Sequence, residues 1–203
     1  MNLVFVRHGE TVWSADRRYA GATDVALNEA GRRQARRLGR WVAAAGLDAV
    51  WSSPLSRASE TAEIAIGATG LALHLDARLA EVNFGDGEGL TSEQMRERFP
   101  QERAAFERDP VAHPLPGSEP PHAALRRALE CLEKITAAQS DGRVLVVIHT
   151  TLIRLLICHL LGLPLGDYRR RLPTIEYTAL TELRLGGYQA ALLRFNAPLR
   201  EAI

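Results

Sequence analysis

Four apolar residues, Leu3, Val4, Phe5 and Val6, run without polar interruption into Arg7 and His8, and Gly9 then lets the backbone turn. A strand covered on both faces reads as a continuous apolar run rather than an alternation, so this stretch predicts a buried strand with Arg7 and His8 where it leaves the core. Arg143–Ile148 repeats the pattern and delivers His149 to its carboxyl end. Residues 48–52 predict a third strand and residues 71–75 a short fourth. Helical spacing fills the gaps between them. Asn28 caps a helix with Ala30, Leu38, Trp41, Val42 and Ala45 on an apolar stripe, and Arg32, Arg33, Arg36, Arg37 and Arg40 mostly outside it. Ser53-Pro54 supplies a cap and a first helical residue that needs no amide hydrogen, which sets Arg57 in the first turn of a helix running through Thr61, Ile64 and Ala65. Leu125, Leu129, Leu132 and Ile135 share one face of a later helix. The helix after Thr150-Thr151 is apolar nearly all round, which predicts burial, and Gly162 with Pro164 ends it.

The tail reads as two strands joined by Gly186-Gly187, a two-residue hairpin signal. Strands alternating with helices, followed by a hairpin, predict an α/β fold: a three-layer α/β/α sandwich whose sheet is mainly parallel with an antiparallel edge. Length and a 46% hydrophobic content fit a single domain over residues 1–203. Two connections stand out. Residues 11–24 form a polar, glycine-containing loop too long for a simple turn. Residues 77–122 are irregular and rich in Gly and Pro, apart from a helix after Thr91, which has capping-box spacing to Gln94. This insertion is the expected lid or specificity region.

Formal net charge is +1 with charges spread along the chain, which excludes the basic footprint of a nucleic-acid binder. Lys134 is the only lysine, so an anionic ligand would be held by local arginines, although the arginine bias also extends over helix faces where composition explains it. Cys131 and Cys158 lie in apolar helical contexts without metal-ligand spacing and read as core residues. With no cationic leader and no apolar segment long enough for a bilayer, the expectation is a cytoplasmic protein without membrane contact. Residues 151–203 offer apolar helix and hairpin surface that is either core or the contact of a homodimer.

Two apolar strands end in histidine and a third is followed by an arginine at a helix start, where unpaired N–H groups favour an anion. Ligands of open α/β sheets bind at the carboxyl edge, so Arg7, His8, Arg57 and His149 are expected to converge there. Arginine forks around two imidazoles suit a dianionic phosphate. The two histidines could instead ligate a metal, but no nearby His, Asp or Glu spacing supports that.

The run from Leu3 through Arg7-His8-Gly9-Glu10-Thr11 resembles the signature of the histidine phosphatase superfamily, branch 1, the phosphoglycerate-mutase-like type. Further motifs follow in the family's order: Ser52-Ser53-Pro54-Leu55-Ser56-Arg57-Ala58, then Glu81 before Phe84-Gly85, then His149. The resemblance implies that His8 is the nucleophile and becomes phosphorylated, and that Arg7, Arg57 and His149 hold the phosphoryl oxygens. It makes Glu81 the general acid and base, and Ser14, Gly21, Thr23 and Thr150 further substrate-binding positions. It implies a small phosphorylated metabolite as substrate, with neither metal nor other cofactor. The α-ribazole phosphatases and the broad-specificity phosphatases are resembled about equally. Ser14 stands where the family often has asparagine, Thr150 where it usually has glycine, and Pro116-Gly117-Ser118-Glu119-Pro120 where Pro-x-Gly-Glu-Ser is common. A phosphoglycerate mutase, which retains its phosphohistidine against water and is typically longer, is the alternative enzyme. A non-catalytic member that binds a phosphorylated ligand or a partner protein is the alternative outside catalysis.

Overall fold

The computed structural model describes residues 1–67, 69–186 and 189–199. Among them, six strands, β1 (Asn2–Arg7), β2 (Ala49–Ser52), β3 (Leu73–Leu75), β4 (Arg143–Ile148), β5 (Leu180–Gly186) and β6 (Gln189–Ala197), form one sheet of order β3-β2-β4-β1-β5-β6. The pairs β3/β2, β2/β4 and β4/β1 are parallel, while β5 runs antiparallel to both β1 and β6. The sheet is therefore mainly parallel with an antiparallel edge, as the alternation of apolar strands and helices predicts. Gly186 closes β5 as expected. Gly187, the second residue of the hairpin signal, lies outside the described residues.

Among the described residues seven α-helices accompany the sheet: α1 (Glu29–Val42), α2 (Ser56–Ile66), α3 (Ser92–Arg98), α4 (Pro100–Arg108), α5 (Pro121–Ala138), α6 (Thr150–Leu160) and α7 (Tyr168–Arg171). The pleat sends successive strand residues to opposite faces. Leu3, Phe5, Val144, Val146 and Ile148 pack with α5 and α6, whereas Val4, Val6, Leu145 and Val147 pack with α1 and α2. Central strands covered on both faces need apolar side chains at every position, which is why β1 and β4 show no alternation. The result is the three-layer α/β/α arrangement. Among the described residues, no helix is long and apolar enough to cross a membrane.

Two local expectations change. Helix α2 begins at Ser56 with Leu55 at its cap, two residues later than the Ser53-Pro54 signal implies. Ser53 is buried and still belongs to the sheet edge: its N–H donates to Val147 O at 3.2 Å, and its hydroxyl accepts from Leu55 N–H at 3.2 Å. The first N–H of the helix, on Ser56, instead donates to the Asp24 carboxylate at 2.7 Å. A cap delivered from a distant loop leaves no local sequence signal. The 77–122 insertion is also more regular than expected. The Thr91–Gln94 capping box opens α3, but Phe99 ends that helix and Pro100 immediately starts α4, which a count of prolines reads as a loop.

Candidate active site

The carboxyl ends of β2, β4 and β1 lie side by side, and the ladder continues past them. His8 N–H donates to Ile148 O at 3.0 Å and Thr178 N–H donates to Arg7 O at 2.9 Å, so both residues keep the sheet's precision beyond its last formal pair. The turn after His8 passes so close to α1 that a Cβ on Gly9 would meet Gly31 O at 2.7 Å, and one on Gly31 would meet Glu10 O at 2.1 Å. Only glycine on both sides permits that approach. The Thr61 hydroxyl links the two walls, accepting from Gly9 N–H at 3.0 Å and donating to Arg57 O at 2.6 Å.

His8, Arg7, Arg57 and Glu81 line one cavity of about 360 Å³. His8 Nδ1 lies 2.7 Å from Gly9 O. Burial pushes the His8 pKa well below the usual 6.5, and the Arg57 and Arg7 charges push the same way, while the Gly9 bond resists. The ring is therefore neutral at pH 7. Because a carbonyl only accepts, Nδ1 carries the proton and Nε2 keeps the lone pair. The His149 ring lies 5.2 Å from His8, centroid to centroid, at the cap position of α6. Burial, followed by Arg57 and His8, holds its pKa well below 6.5, and neither of its buried ring nitrogens has a hydrogen-bond partner.

Backbone carbonyls aim the two arginines. Arg57 donates to Gly21 O at 2.6 Å and to Thr23 O at 2.9 Å, and Arg7 donates to Ile175 O at 2.7 Å with its guanidinium 3.7 Å above the Tyr177 ring. Burial lowers both arginines' pKa values, yet each remains protonated, and each sits in the other's repulsive field. Glu81 is held at the start of α6. Its Oε2 accepts from Thr151 N–H at 2.9 Å, and its Oε1 from Leu152 and Val82 N–H, both at 3.0 Å. Arg127 clamps the Glu81 loop from behind, donating to Ala80 O at 2.7 Å and Glu81 O at 3.1 Å. Glu119 holds Arg127 through two bonds of 2.8 Å, which gives that glutamate a structural place beside the acid-bearing loop.

Of the other expected positions, Ser14, Gly21 and Thr150 line the cavity and Thr23 does not. Ser14 Oγ accepts from Thr11 N–H and from the Tyr177 hydroxyl, both at 2.9 Å. Thr23 is exposed. It contributes its carbonyl to Arg57, while its N–H and hydroxyl donate to Glu88. Thr150 opens α6 without a positive φ, so the residue in the place of the family's glycine is unstrained.

The structure adds Arg17, Arg18, Tyr19, Arg154, Arg169 and Tyr177 to the cavity wall. Arg154 had a signal: a lone arginine within an otherwise apolar, buried helix needs partners there, which Leu172 O at 2.7 Å and Pro173 O provide. The others come from loops and short elements whose meeting is purely tertiary. Among the described residues, no group of three or more His, Cys, Asp or Glu side chains is placed to hold a metal ion.

The family model for the histidine phosphatase superfamily (branch 1) matches residues 3–198. The chain is 30% identical over 168 residues to phosphoserine phosphatase 1 of Hydrogenobacter thermophilus, covering 83% of this chain and 80% of that protein. Among solved structures it resembles Bacillus stearothermophilus YhfR, with TM-score 0.90, 31% identity and 97% of each chain covered. It also resembles a mycobacterial glucosyl-3-phosphoglycerate phosphatase complexed with VO3, with TM-score 0.87, 30% identity and coverage of 97% of this chain and 99% of that one.

Proposed function

Because the chain belongs to branch 1 of the histidine phosphatase superfamily, we propose that it hydrolyses phosphate monoesters of a small metabolite through a phosphohistidine on His8. One observation carries the reading. His8 is a buried, neutral imidazole whose Nδ1 is tied to Gly9 O, set between two guanidinium groups in a cavity that also holds a carboxyl group. The relatives named as phosphatases support the reaction class.

In the first step His8 Nε2 attacks phosphorus and the P–O bond to the alcohol breaks. Arg7, Arg57 and His149 take the phosphoryl oxygens, where charge accumulates. Binding the dianion also relieves the repulsion between the two arginines. Glu81 donates a proton to the leaving alkoxide. Its Oε2, with a single N–H donor, retains the lone pair on which that proton can be carried. In the second step the Glu81 carboxylate takes a proton from water, which attacks phosphohistidine to release inorganic phosphate and restore neutral His8.

Purified His8→Ala, assayed on a panel of phosphate esters, should lose on the order of 10⁴-fold or more in turnover, as removal of a nucleophile does elsewhere. Brief mixing of the unaltered protein with a labelled ester should trap an acid-labile, base-stable adduct that the variant lacks. Undiminished turnover in the variant overturns the mechanism. The absence of both turnover and adduct in the unaltered protein favours a phospho-ligand binder instead.

A further inference from the structure

Glu88 does not line the cavity, but its half-buried carboxylate joins two of the loops that do. Oε1 accepts from Ala22 N–H at 2.8 Å and from Phe84 N–H at 2.9 Å, and Oε2 accepts from Thr23 N–H at 2.7 Å and from the Thr23 hydroxyl. A carboxylate offers about four lone-pair sites, and four donors occupy them here. Gly21 shows how closely the group is seated: at its φ of 49°, a Cβ would collide with the Glu88 carboxylate, so only glycine fits. A parallel bridge between Tyr19 and Glu88, with Gly89 N–H donating to Tyr19 O at 2.8 Å, keeps the two loops in register.

The loop fastened in this way is the one that aims Arg57. Gly21 O and Thr23 O, which flank the N–H groups held by Glu88, accept from Arg57 Nη2 at 2.6 Å and Nη1 at 2.9 Å. The buried Arg57 Nε has no partner among the described residues, so the fork reaches the cavity wall with a donor unspent. Burial lowers the Arg57 pKa, and Glu88 is one of three carboxylates, with Glu81 and Asp24, whose charges oppose that. Thr23 N–H also donates to Ala20 O at 2.9 Å, so the turn keeps a bond of its own without Glu88. What Glu88 alone supplies is the seat of that turn against Phe84.

Resting on the phosphatase reading above, we infer that Glu88 is a positioning residue for phosphoryl transfer: by seating Gly21 O and Thr23 O it fixes the direction of the Arg57 fork, without touching the substrate itself. Two carboxylates on one segment thus serve different ends. Glu81 lies in the cavity on the α6 N–H groups, whereas Glu88 stands outside it and acts through a cation. The place requires a carboxylate, because an amide would turn an NH2 group toward N–H donors where only an acceptor fits.

Glu88→Gln keeps the size of the side chain and spoils half of its acceptors. For an aryl phosphate, kcat/KM should fall about 10- to 100-fold, since a displacement of about 1 Å in a group that holds the reacting centre costs about 100-fold. Beside Arg57→Ala, where no guanidinium remains to be aimed, the same substitution should cost less than about threefold. An equal loss in both backgrounds overturns the inference and leaves the phosphatase reading standing. So does a loss that persists beside Arg57→Ala and vanishes beside Glu81→Gln, because it places the effect on the acid-bearing loop. Calorimetric titration with inorganic phosphate reads the same arrangement without turnover. Affinity should fall about fivefold or more in Glu88→Gln, as for a weakened charge-assisted contact, and an unchanged affinity overturns the inference. If the unaltered protein binds phosphate but hydrolyses no ester, the phosphatase reading falls and the titration alone decides the role of Glu88; if it binds none, both fall. Should Glu88→Gln not fold, Thr23→Val removes one of the four donors at an exposed position. Phosphate affinity should then fall about threefold, and no change there overturns the inference.

Discussion

The two ends of the cavity are built differently. Around His8 the histidines and arginines come from the end of a central strand or the start of a helix, while Glu81 comes from a loop docked on the start of α6, and each charge is wholly or partly buried and pinned by backbone: Arg57 on Gly21 and Thr23, Arg7 on Ile175, Glu81 on three N–H groups. At the outer end the arginines come from the 11–24 loop and the short helix α7, and Arg17 is exposed. Groups fixed before substrate arrives suit a reaction whose barrier falls mainly through preorganised charge. Side chains on loops can change without disturbing that frame, which suits the choice of alcohol. The difference fits the proposed function, with the chemistry at the inner end and room for selection at the outer.

The largest effect expected at the inner end after loss of the nucleophile is that of Glu81→Gln. Loss of general-acid assistance costs on the order of 10²- to 10⁴-fold. An amide keeps an acceptor for the α6 N–H groups but cannot deliver a proton. Alkyl phosphates, whose leaving group needs that proton, should suffer more than aryl phosphates, whose leaving group departs as a stable anion. Parallel kcat measurements on the two ester types decide the matter, and equal losses would remove the acid role from Glu81.

The same contrast explains what could be read from the chain alone. Arg7 and His8 follow Val6 directly, His149 follows Ile148, and Arg57 begins a helix after a short apolar strand, so the inner end announced itself as polar residues attached to buried strands. The sheet and its antiparallel edge followed from the same runs. The outer end gave no such sign, because Arg17, Tyr19 and Arg169 lie in polar segments where charge is ordinary, and only tertiary packing brings them to one wall. Tyr177 was silent for the same reason. The start of α2 was misread because its cap, Asp24, lies 32 residues away. In the insertion, Pro100 marks a second helix start, where a high proline content suggested irregular chain.

A smaller effect follows from the two buried imidazoles of the inner end. Both His8 and His149 have folded-state pKa values well below 6.5, so above pH 6.5 they are neutral whether the chain is folded or not. As pH falls below that value the unfolded chain takes up protons that the folded one refuses. Stability present at neutral pH is therefore lost progressively down to the folded-state pKa. Urea unfolding should show a lower midpoint at pH 5.5 than at pH 7.5, in a window where carboxylates titrate little. His149→Gln should lose less over the same interval, since one of the two groups is gone. An undiminished loss in that variant would place the proton uptake elsewhere. The outer wall carries no histidine, so Arg17→Gly should leave the pH dependence as it was.

The smallest change probes where the two ends meet. Tyr177 presents its ring to the Arg7 guanidinium at 3.7 Å and its hydroxyl to Ser14 Oγ at 2.9 Å, so one side chain joins the inner end to the 11–24 loop. A cation over an aromatic face is worth about 0.5 to 2 kcal/mol depending on desolvation, and an ordinary neutral hydrogen bond about 1 kcal/mol. Tyr177→Phe keeps the ring under Arg7, so kcat/KM should fall no more than about fivefold, and Ser14 keeps its bond from Thr11 N–H. Tyr177→Leu removes both contacts, together about 1.5 to 3 kcal/mol, and should cost about 10- to 150-fold. If the two variants lose equally, the hydroxyl and not the ring aims Arg7, and the boundary between fixed and adaptable arginines moves inward to the Ser14 contact.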